Sequence, residues 1–375
     1  MQTQKKVVHL TTVHHPYDPR IYHKECQSLQ RAGFDVTLIA QEGSADDQEK
    51  LVNHIPVKKY KSRMKRMFFG AMDAYKKAKR IKADVYHFHD PELLPVGWLL
   101  KKKNNIVIYD IHEDYVTSIL QKNYMNPFLR KLIAKIYKVM EKLFLNKMEL
   151  CLAEKYYKDI YPTGKCILNY PMVNKRFMEH KREKAPLEPK LLYTGNVTYD
   201  RGALIHARIP LIDNRYSVHF VGKCAGTIAE EMYESAGKEK SNITIEGIDR
   251  FVEKEDIEKQ YLSRNWLAGV ALFPPTEHYM KKELTKFFEY MNAGLPVICS
   301  NFPVWERFME KYQCGIAVDP YNDKEIHQAI EYLKENPEIT KQMGENGKNA
   351  VKNELNWRSE EKKLIAWYNQ LLGQS

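Results

Sequence analysis

Arg201, Lys286 and Glu289 are polar side chains set just beyond short apolar runs, in stretches that turn from a predicted strand toward a helix. A loop feeding a helix N-terminus aims backbone N–H groups at whatever lies past the sheet, and that geometry holds phosphate. Residues 273–300, FPPTEHYMKKELTKFFEYMNAGLPVICS, read as strand end, loop, short helix, tight turn and next strand. Pro274 and Pro275 stop the strand, Thr285 is placed to cap the helix, and Gly294 with Pro296 ends it. Lys282, Thr285 and Lys286 flank the turn. Glu289 lies one turn further in, too deep for the same phosphate, where a carboxylate suits a ribose diol. A bland reading of Glu283, Lys286 and Glu289 is a charge ladder on an exposed helix, worth ~0.2–0.5 kcal/mol a pair. It accounts for Glu283 but poorly for Glu289, which the Gly294-Leu295-Pro296 turn places beside the predicted cleft.

A second constellation is Tyr193-Thr194-Gly195-Asn196-Val197-Thr198-Tyr199-Asp200-Arg201-Gly202. Gly195 directly after a strand lets a ligand approach the backbone, and Arg201 offers a fork of donors to a diphosphate. Alone, such an arginine is more often a surface charge; it gains weight because Lys286 follows a neighbouring strand of the same predicted sheet.

A third group is rich in histidine: His14-His15, His87-Phe88-His89-Asp90 and Asp110-Ile111-His112-Glu113. His87 and His89 share one face of a strand. Two readings stay open. One is a His/Asp metal hydrolase, although no further ligand stands at a compelling spacing. The other is a histidine at each strand end that contacts substrate.

The elements that must position these residues alternate strand and helix. Strands are expected over residues 7–12, 36–40, 85–88, 106–111, 151–153 and 166–168, with helices over 21–32, 93–102 and 127–146, and a polar loop over 43–56. The first strand does not run into GxGxxG, which excludes a standard dinucleotide fingerprint. After a charged linker at 174–189, strands restart at 191–193, 218–221, 243–245, 270–273, 297–299 and 316–318. The pattern predicts α/β architecture: two doubly wound Rossmann-like domains, 1–170 and 171–355, facing across a cleft, and a closing helix over 356–375 that packs back toward the first domain. The special residues all fall at the carboxyl ends of strands, where open parallel sheets bind ligands.

Lys+Arg number 59 against 48 Asp+Glu, a net charge of +11, which suits anionic partners. Basic residues and aromatics do not interleave as in a nucleic-acid module, so no nucleic-acid partner is expected. Six scattered cysteines, none in a CxxC pair, read as reduced core residues of a cytoplasmic protein. The start MQTQKKVVHL is too short in apolar residues for a signal peptide, and no segment approaches the ~20 apolar residues of a membrane span. Membrane contact would therefore be peripheral. Two basic amphipathic stretches bear on it. For 130–147 the expected reading is an ordinary helix whose stripe of Leu132, Ile133, Ile136, Val139, Met140 and Leu143 faces a core; for 64–69, core and anionic membrane surface stand level.

Together these residues resemble glycosyltransferase family 4, retaining enzymes of the two-domain GT-B fold, over nearly the whole chain. The family's Gly-Arg-Leu-x-x-x-Lys-Gly stretch is similar to Gly195-Asn196-Val197-x-x-x-Arg201-Gly202, with Arg201 at the lysine position and Asn196 at the arginine. Of the family's two spaced glutamates, the second is Glu289 and the first falls on Lys281. A branch with Pro-Asn-Lys-x-x-Glu-Tyr-Met resembles residues 284–291. Asp18-Pro19-Arg20, His89-Asp90 and Asp110-x-His112-Glu113 look like the family's acceptor side, and Asn169 like the asparagine before its linker. The resemblance implies a hexosyltransferase that moves sugar from a nucleoside-diphosphate sugar to a glycan or lipid-linked acceptor, in cell-envelope or extracellular polysaccharide synthesis, with no metal or other cofactor. Arg201 and Lys286 would stabilise the departing diphosphate, with Gly195, Asn196 and Thr285 beside it. Glu289 would hold ribose, His112 would meet the donor sugar, and Asp18, Arg20, His89 and Asp90 would line the acceptor side. The enzyme would work in the cytoplasm, with possible attachment to the inner membrane face. A nucleotide-sugar epimerase of the same fold is the alternative, ahead of the metal hydrolase.

Overall fold

The computed structural model describes residues 4–43, 51–120, 126–180 and 186–373, and the elements counted below are those of the described residues. They form two compact units: residues 1–169 together with 357–375, and residues 170–356.

In the first unit β1 (Lys6–Leu10), β2 (Asp35–Gln41), β3 (Asn53–Val57), β4 (Val85–Phe88), β5 (Ile106–Ile111), β6 (Glu149–Leu152) and β7 (Lys165–Cys166) build one sheet in the order β3-β2-β1-β4-β5-β6-β7. Every pairing is parallel. The chain winds outward from β1 and crosses back to β4, so a switch point lies between the ends of those strands. In the second unit β8 (Lys190–Thr194), β9 (Ser217–Cys224), β10 (Ile243–Ile248), β11 (Ala268–Ala271), β12 (Val297–Ser300) and β13 (Gly315–Val318) run parallel in the order β10-β9-β8-β11-β12-β13. Its switch point lies between β8 and β11, the strands that lead into Arg201 and toward Lys286.

Central strands such as β4, β11 and β12 are buried along their whole length, which is why they read as continuous apolar runs. β3 departs from the expected 43–56 loop. It sits at the sheet edge with only Val57 buried, and its proline is tolerated there, so its apolar signal is faint. Residues 44–50 of that stretch lie outside the described residues, as do 181–185 of the linker.

The helix expected over 21–32 starts earlier, as a π-helical segment Pro19–Cys26 that continues into Gln27–Arg31. Pro19 suits the first helical position, and the Asp18 carboxylate accepts from the N–H groups of Arg20 (2.8 Å) and Ile21 (2.9 Å). The C-terminal helix Trp357–Leu371 belongs to the first unit. Trp357 Nε1 donates to Ser28 Oγ at 3.0 Å, the Leu168 N–H to Glu360 at 2.9 Å, and Tyr368 meets His87 at 2.7 Å.

The helix Pro127–Leu145 reverses the expected packing. Leu132, Ile136, Val139, Met140 and Leu143 are exposed, while Ala134 and Glu141 are buried. Its inner side is the neighbouring stripe of Tyr137, Phe144 and Leu145, which packs under β4–β6. Glu141 is tolerated inside because the Tyr137 hydroxyl donates to it at 3.0 Å.

Candidate functional site

In the second unit the site residues gather where β8 and β11 end. Gly202 sits at φ +76°, and a Cβ there would fall 1.9 Å from the Leu272 carbonyl oxygen, so only glycine lets the loop 195–202 close onto β11. His206 locks that approach: its Nδ1–H donates to the Gly202 carbonyl at 2.6 Å and its Nε2 accepts from the Leu272 N–H at 2.8 Å. Burial, reinforced by the Lys286 charge, pushes the His206 pKa down to about 3, so it stays neutral. His206 was not singled out in the sequence; its one signal is its place four residues past Gly202.

Arg201 is half-buried and its Nε donates to the Tyr279 hydroxyl at 3.1 Å, which itself donates to Asp200 at 2.9 Å. Lys286 is buried, with Nζ 3.1 Å from the centroid of the Tyr193 ring and 5.2 Å from that of Phe273. The two rings stabilise the cation, yet Nζ has no hydrogen-bond acceptor. Burial, then the Arg201 charge, holds its pKa well below the ordinary lysine value. A buried ammonium without an acceptor is costly unless an anion completes it.

The helix Thr285–Asn292 starts differently from expectation. Leu284 is the N-cap, with no side-chain cap, and Thr285 is the exposed first helical residue. The Leu284 carbonyl takes the Phe287 N–H at 3.0 Å, but a leucine side chain cannot cap the first turn, so the N–H groups of Thr285 and Lys286 remain for an external anion. The approach loop is held by Ser300, whose Oγ accepts from the Phe273 N–H and donates to its carbonyl, both at 2.8 Å, and by Trp305 Nε1 donating to the Lys282 carbonyl at 2.7 Å. Glu289 is half-buried and accepts from the Tyr261 hydroxyl at 3.1 Å, and Tyr261 also bonds Thr194 at the end of β8 at 2.8 Å. Burial raises the Glu289 pKa against that bond. Gly195 sits at φ +86° with open space beside it, and Asn196 is exposed. Lys281, at the position of the first family glutamate, is exposed and paired with Glu277.

In the first unit the residues meet at the ends of β1, β4 and β5. Asp90 is buried and accepts from the Thr11 hydroxyl (3.0 Å) and from the N–H groups of Thr12 (2.5 Å) and Val13 (3.2 Å). It shapes the 11–14 loop from within. Arg20, placed on the acceptor side by resemblance, is turned inward: Nε and Nη2 bind the two oxygens of Asp110 at 3.0 and 2.9 Å, and Nη2 also donates to the Ile167 carbonyl at 2.9 Å. Asp18 is occupied by the helix start and by His14, 3.3 Å away; these contacts overcome burial and hold its carboxyl well below the usual range. His89 is buried between Asp110 (3.1 Å) and His9 (3.0 Å). His112 is the more open member, half-buried, with Nε2 2.5 Å from Asp110 and His14 beside it.

Glu25, His87, His89 and Asp110 offer ligand atoms within 4.8 Å of one another. Arg20 lies against both carboxyl groups, with Nε 3.0 Å from Glu25 and Nη2 2.9 Å from Asp110. The cluster thus has its cation, and its four members are buried. A catalytic metal keeps a position open to substrate, so this geometry does not fit the hydrolase alternative.

Asp110 already accepts two bonds from Arg20, so it can only accept from His112. His112 then carries a proton on Nε2, directed at Asp110. Imidazole 15N shifts of labelled protein should show a protonated Nε2; a His112 protonated on Nδ1 alone would contradict the arrangement.

The family model of Glycosyltransferase Family 4 matches residues 19–154, and that of Glycosyl transferases group 1 matches residues 250–350. Similar solved structures include sucrose-phosphate synthase from Thermosynechococcus elongatus, at 17% identity and TM-score 0.72 over 99% of this chain and 100% of that one. A glycosyltransferase from Rickettsia africae is similar at 14% identity and TM-score 0.72 over 100% of both chains. HepE of Anabaena, solved with UDP and glucose, is similar at 11% identity and TM-score 0.69 over 98% of this chain and 100% of that one. At such identities the likeness concerns the fold. No curated protein sequence matches. With family models matched in both units and two parallel sheets of the GT-B type, the chain belongs to the group 1 glycosyltransferases and is a glycosyltransferase.

Proposed function

We propose that this enzyme transfers a hexose, with retention, from a nucleoside-diphosphate sugar to a glycan or lipid-linked acceptor of cell-envelope or extracellular polysaccharide, in the cytoplasm and against the inner membrane face. The observation that carries the reading is the buried Lys286 Nζ, without an acceptor, beside Arg201 and a helix start with no side-chain cap. As the bond from the sugar carbon to the diphosphate breaks, negative charge grows on the leaving oxygen. Arg201, Lys286 and the first-turn N–H groups stabilise it, so no bound metal is required. The acceptor oxygen attacks the same face and its proton passes to the leaving phosphate. Glu289 holds the ribose, Gly195 and Asn196 edge the diphosphate, and His112 contacts the sugar through Nδ1. Asp18, Arg20, His89 and Asp90 act on the acceptor side by shaping the 11–20 loop and orienting His112.

A thermal-shift panel of nucleoside diphosphates tests this. A ligand at a hundred times its dissociation constant adds ~2.7 kcal/mol of stability, so one base should raise the melting temperature by several degrees. UDP is the first to try, since similar HepE was solved with it. No shift with any nucleotide would overturn the reading. An epimerase would release an altered sugar without acceptor; the transferase reading requires product to depend on acceptor.

A further inference from the structure

On the outer side of the first unit, the helix Pro127–Leu145 carries Leu132, Ile136, Val139 and Leu143 in one exposed row, with Leu143 68% and Phe128 77% exposed. Spacings of four, three and four residues make this a continuous ridge. The helix Leu94–Leu100 packs against both Pro127–Leu145 and Ala71–Ile81 and exposes Trp98. The turn Arg66–Gly70 leads into Ala71–Ile81 and exposes Phe68 (65%) and Phe69 (61%). Single exposed apolar residues are ordinary; rows of them on adjoining helices mark an interaction surface.

The charge on these helices identifies what covers it. Residues 127–145 hold five basic residues, Arg130, Lys131, Lys135, Lys138 and Lys142, and one acid, Glu141, which is turned inward. Arg63 and Lys65, both exposed, precede Phe68. An apolar ridge flanked by cations fits acyl chains beneath anionic headgroups. A second copy of the chain would bring the same positive charge and repel. Among the described residues no helix is long and apolar enough to cross a membrane, so the ridge lies on the surface rather than spanning it.

We propose that the outer helices of the first unit, led by the Leu132–Ile136–Val139–Leu143 ridge, form the docking face for an anionic bilayer. This rests on the peripheral membrane contact proposed above and gives it a surface. The test is co-sedimentation with vesicles of phosphatidylcholine containing phosphatidylglycerol, against phosphatidylcholine alone, at low and high salt. Binding is expected to the anionic vesicles and to weaken with salt. The Ile136→Glu/Leu143→Glu variant should lose at least about tenfold in vesicle affinity, and Lys135→Ala or Lys138→Ala about fivefold each. These side chains are exposed and outside the nucleotide site, so the nucleoside-diphosphate thermal shift should be unchanged in all three variants. That shift separates loss of docking from loss of the donor reading. Wild-type protein that ignores anionic vesicles, or a double variant that binds them equally, overturns the proposal. So does light scattering that shows a dimer broken by the double variant, since a second copy would then own the ridge.

Discussion

Lys286→Ala should reduce sugar transfer by ~10²-fold or more, as for loss of a single donor to transition-state charge, and should at the same time raise the melting temperature of the ligand-free protein. The two effects have one origin. In the empty protein Nζ is buried against Tyr193 and Phe273 with no acceptor, so it pays desolvation that only an anion returns. The pH dependence follows with its sign. The folded-state pKa of Lys286 lies well below its unfolded value, by burial and then by Arg201. Between those two values the unfolded chain binds the extra proton, so the empty protein gains stability as pH rises through the window. A bound diphosphate favours the ammonium, so nucleotide affinity should fall as pH rises through the same window, and Lys286→Ala should remove both slopes. Arg201→Ala should lower transfer comparably, with no gain in stability, because Arg201 is only half-buried and bonded to Tyr279. Steady-state kinetics and calorimetry at several pH values check this. Transfer within a few-fold of wild type in both variants would refute the diphosphate site.

Much of the second unit was legible because its central strands are buried on both faces and therefore read as short apolar runs punctuated by glycine and proline. The same logic failed for β3, whose edge position leaves only Val57 buried. It also failed for Pro127–Leu145, where two apolar stripes run side by side. Hydrophobic spacing identifies a stripe but not which neighbour it meets, and the stripe that faces the sheet includes Tyr137 and a glutamate. The site residues divide in a related way. Gly195, Lys286 and Glu289 were found because they follow strand ends, and the fold puts them around the ends of β8 and β11. Thr285 was assigned as a cap because its side chain can cap, yet the helix begins at it rather than after it. For Arg20 and Asp90 a sequence gives charge and position but not direction. Both project into the protein, where a guanidinium meets Asp110 and a carboxylate meets the 11–13 backbone. His206 had no signal in proportion to its role, because it acts by joining the Gly202 carbonyl to the backbone N–H of Leu272, 66 residues beyond itself in the sequence.

The buried cluster of the first unit should respond oppositely to two nearly isosteric substitutions. Asp110→Asn should destabilise by about 3–5 kcal/mol, the usual cost of breaking a buried ion pair by removing one partner, whereas Glu25→Gln should be close to neutral below the ordinary glutamate pKa and should gain stability relative to wild type as pH rises above it. Arg20 carries one positive charge between two carboxylates, so only one of them can stay ionised at low cost. Asp110 accepts from Arg20 twice, from His89 and from His112. Burial alone would raise its pKa, but Arg20 and then His112 outweigh it and hold the carboxyl well below its ordinary value. That stability is complete at neutral pH and is lost only as pH falls below the ordinary aspartate range toward the folded-state pKa. Glu25 lacks any hydrogen bond of good geometry, and burial, then the Asp110 charge, pushes its pKa well up against the pull of Arg20. The raised pKa favours the protonated form in the folded protein, so the contribution of Glu25 is full below the ordinary glutamate pKa and is lost as pH rises through the folded-state value. A glutamine there presents the same shape without that slope. The readout is the calorimetric transition of each variant against pH. Because Asp110 also orients His112, Asp110→Asn should release the His112 Nε2 proton, while Glu25→Gln should leave it in place. If Glu25→Gln proves as damaging as Asp110→Asn, both carboxylates are ionised, and the division of charge argued for this cluster is wrong.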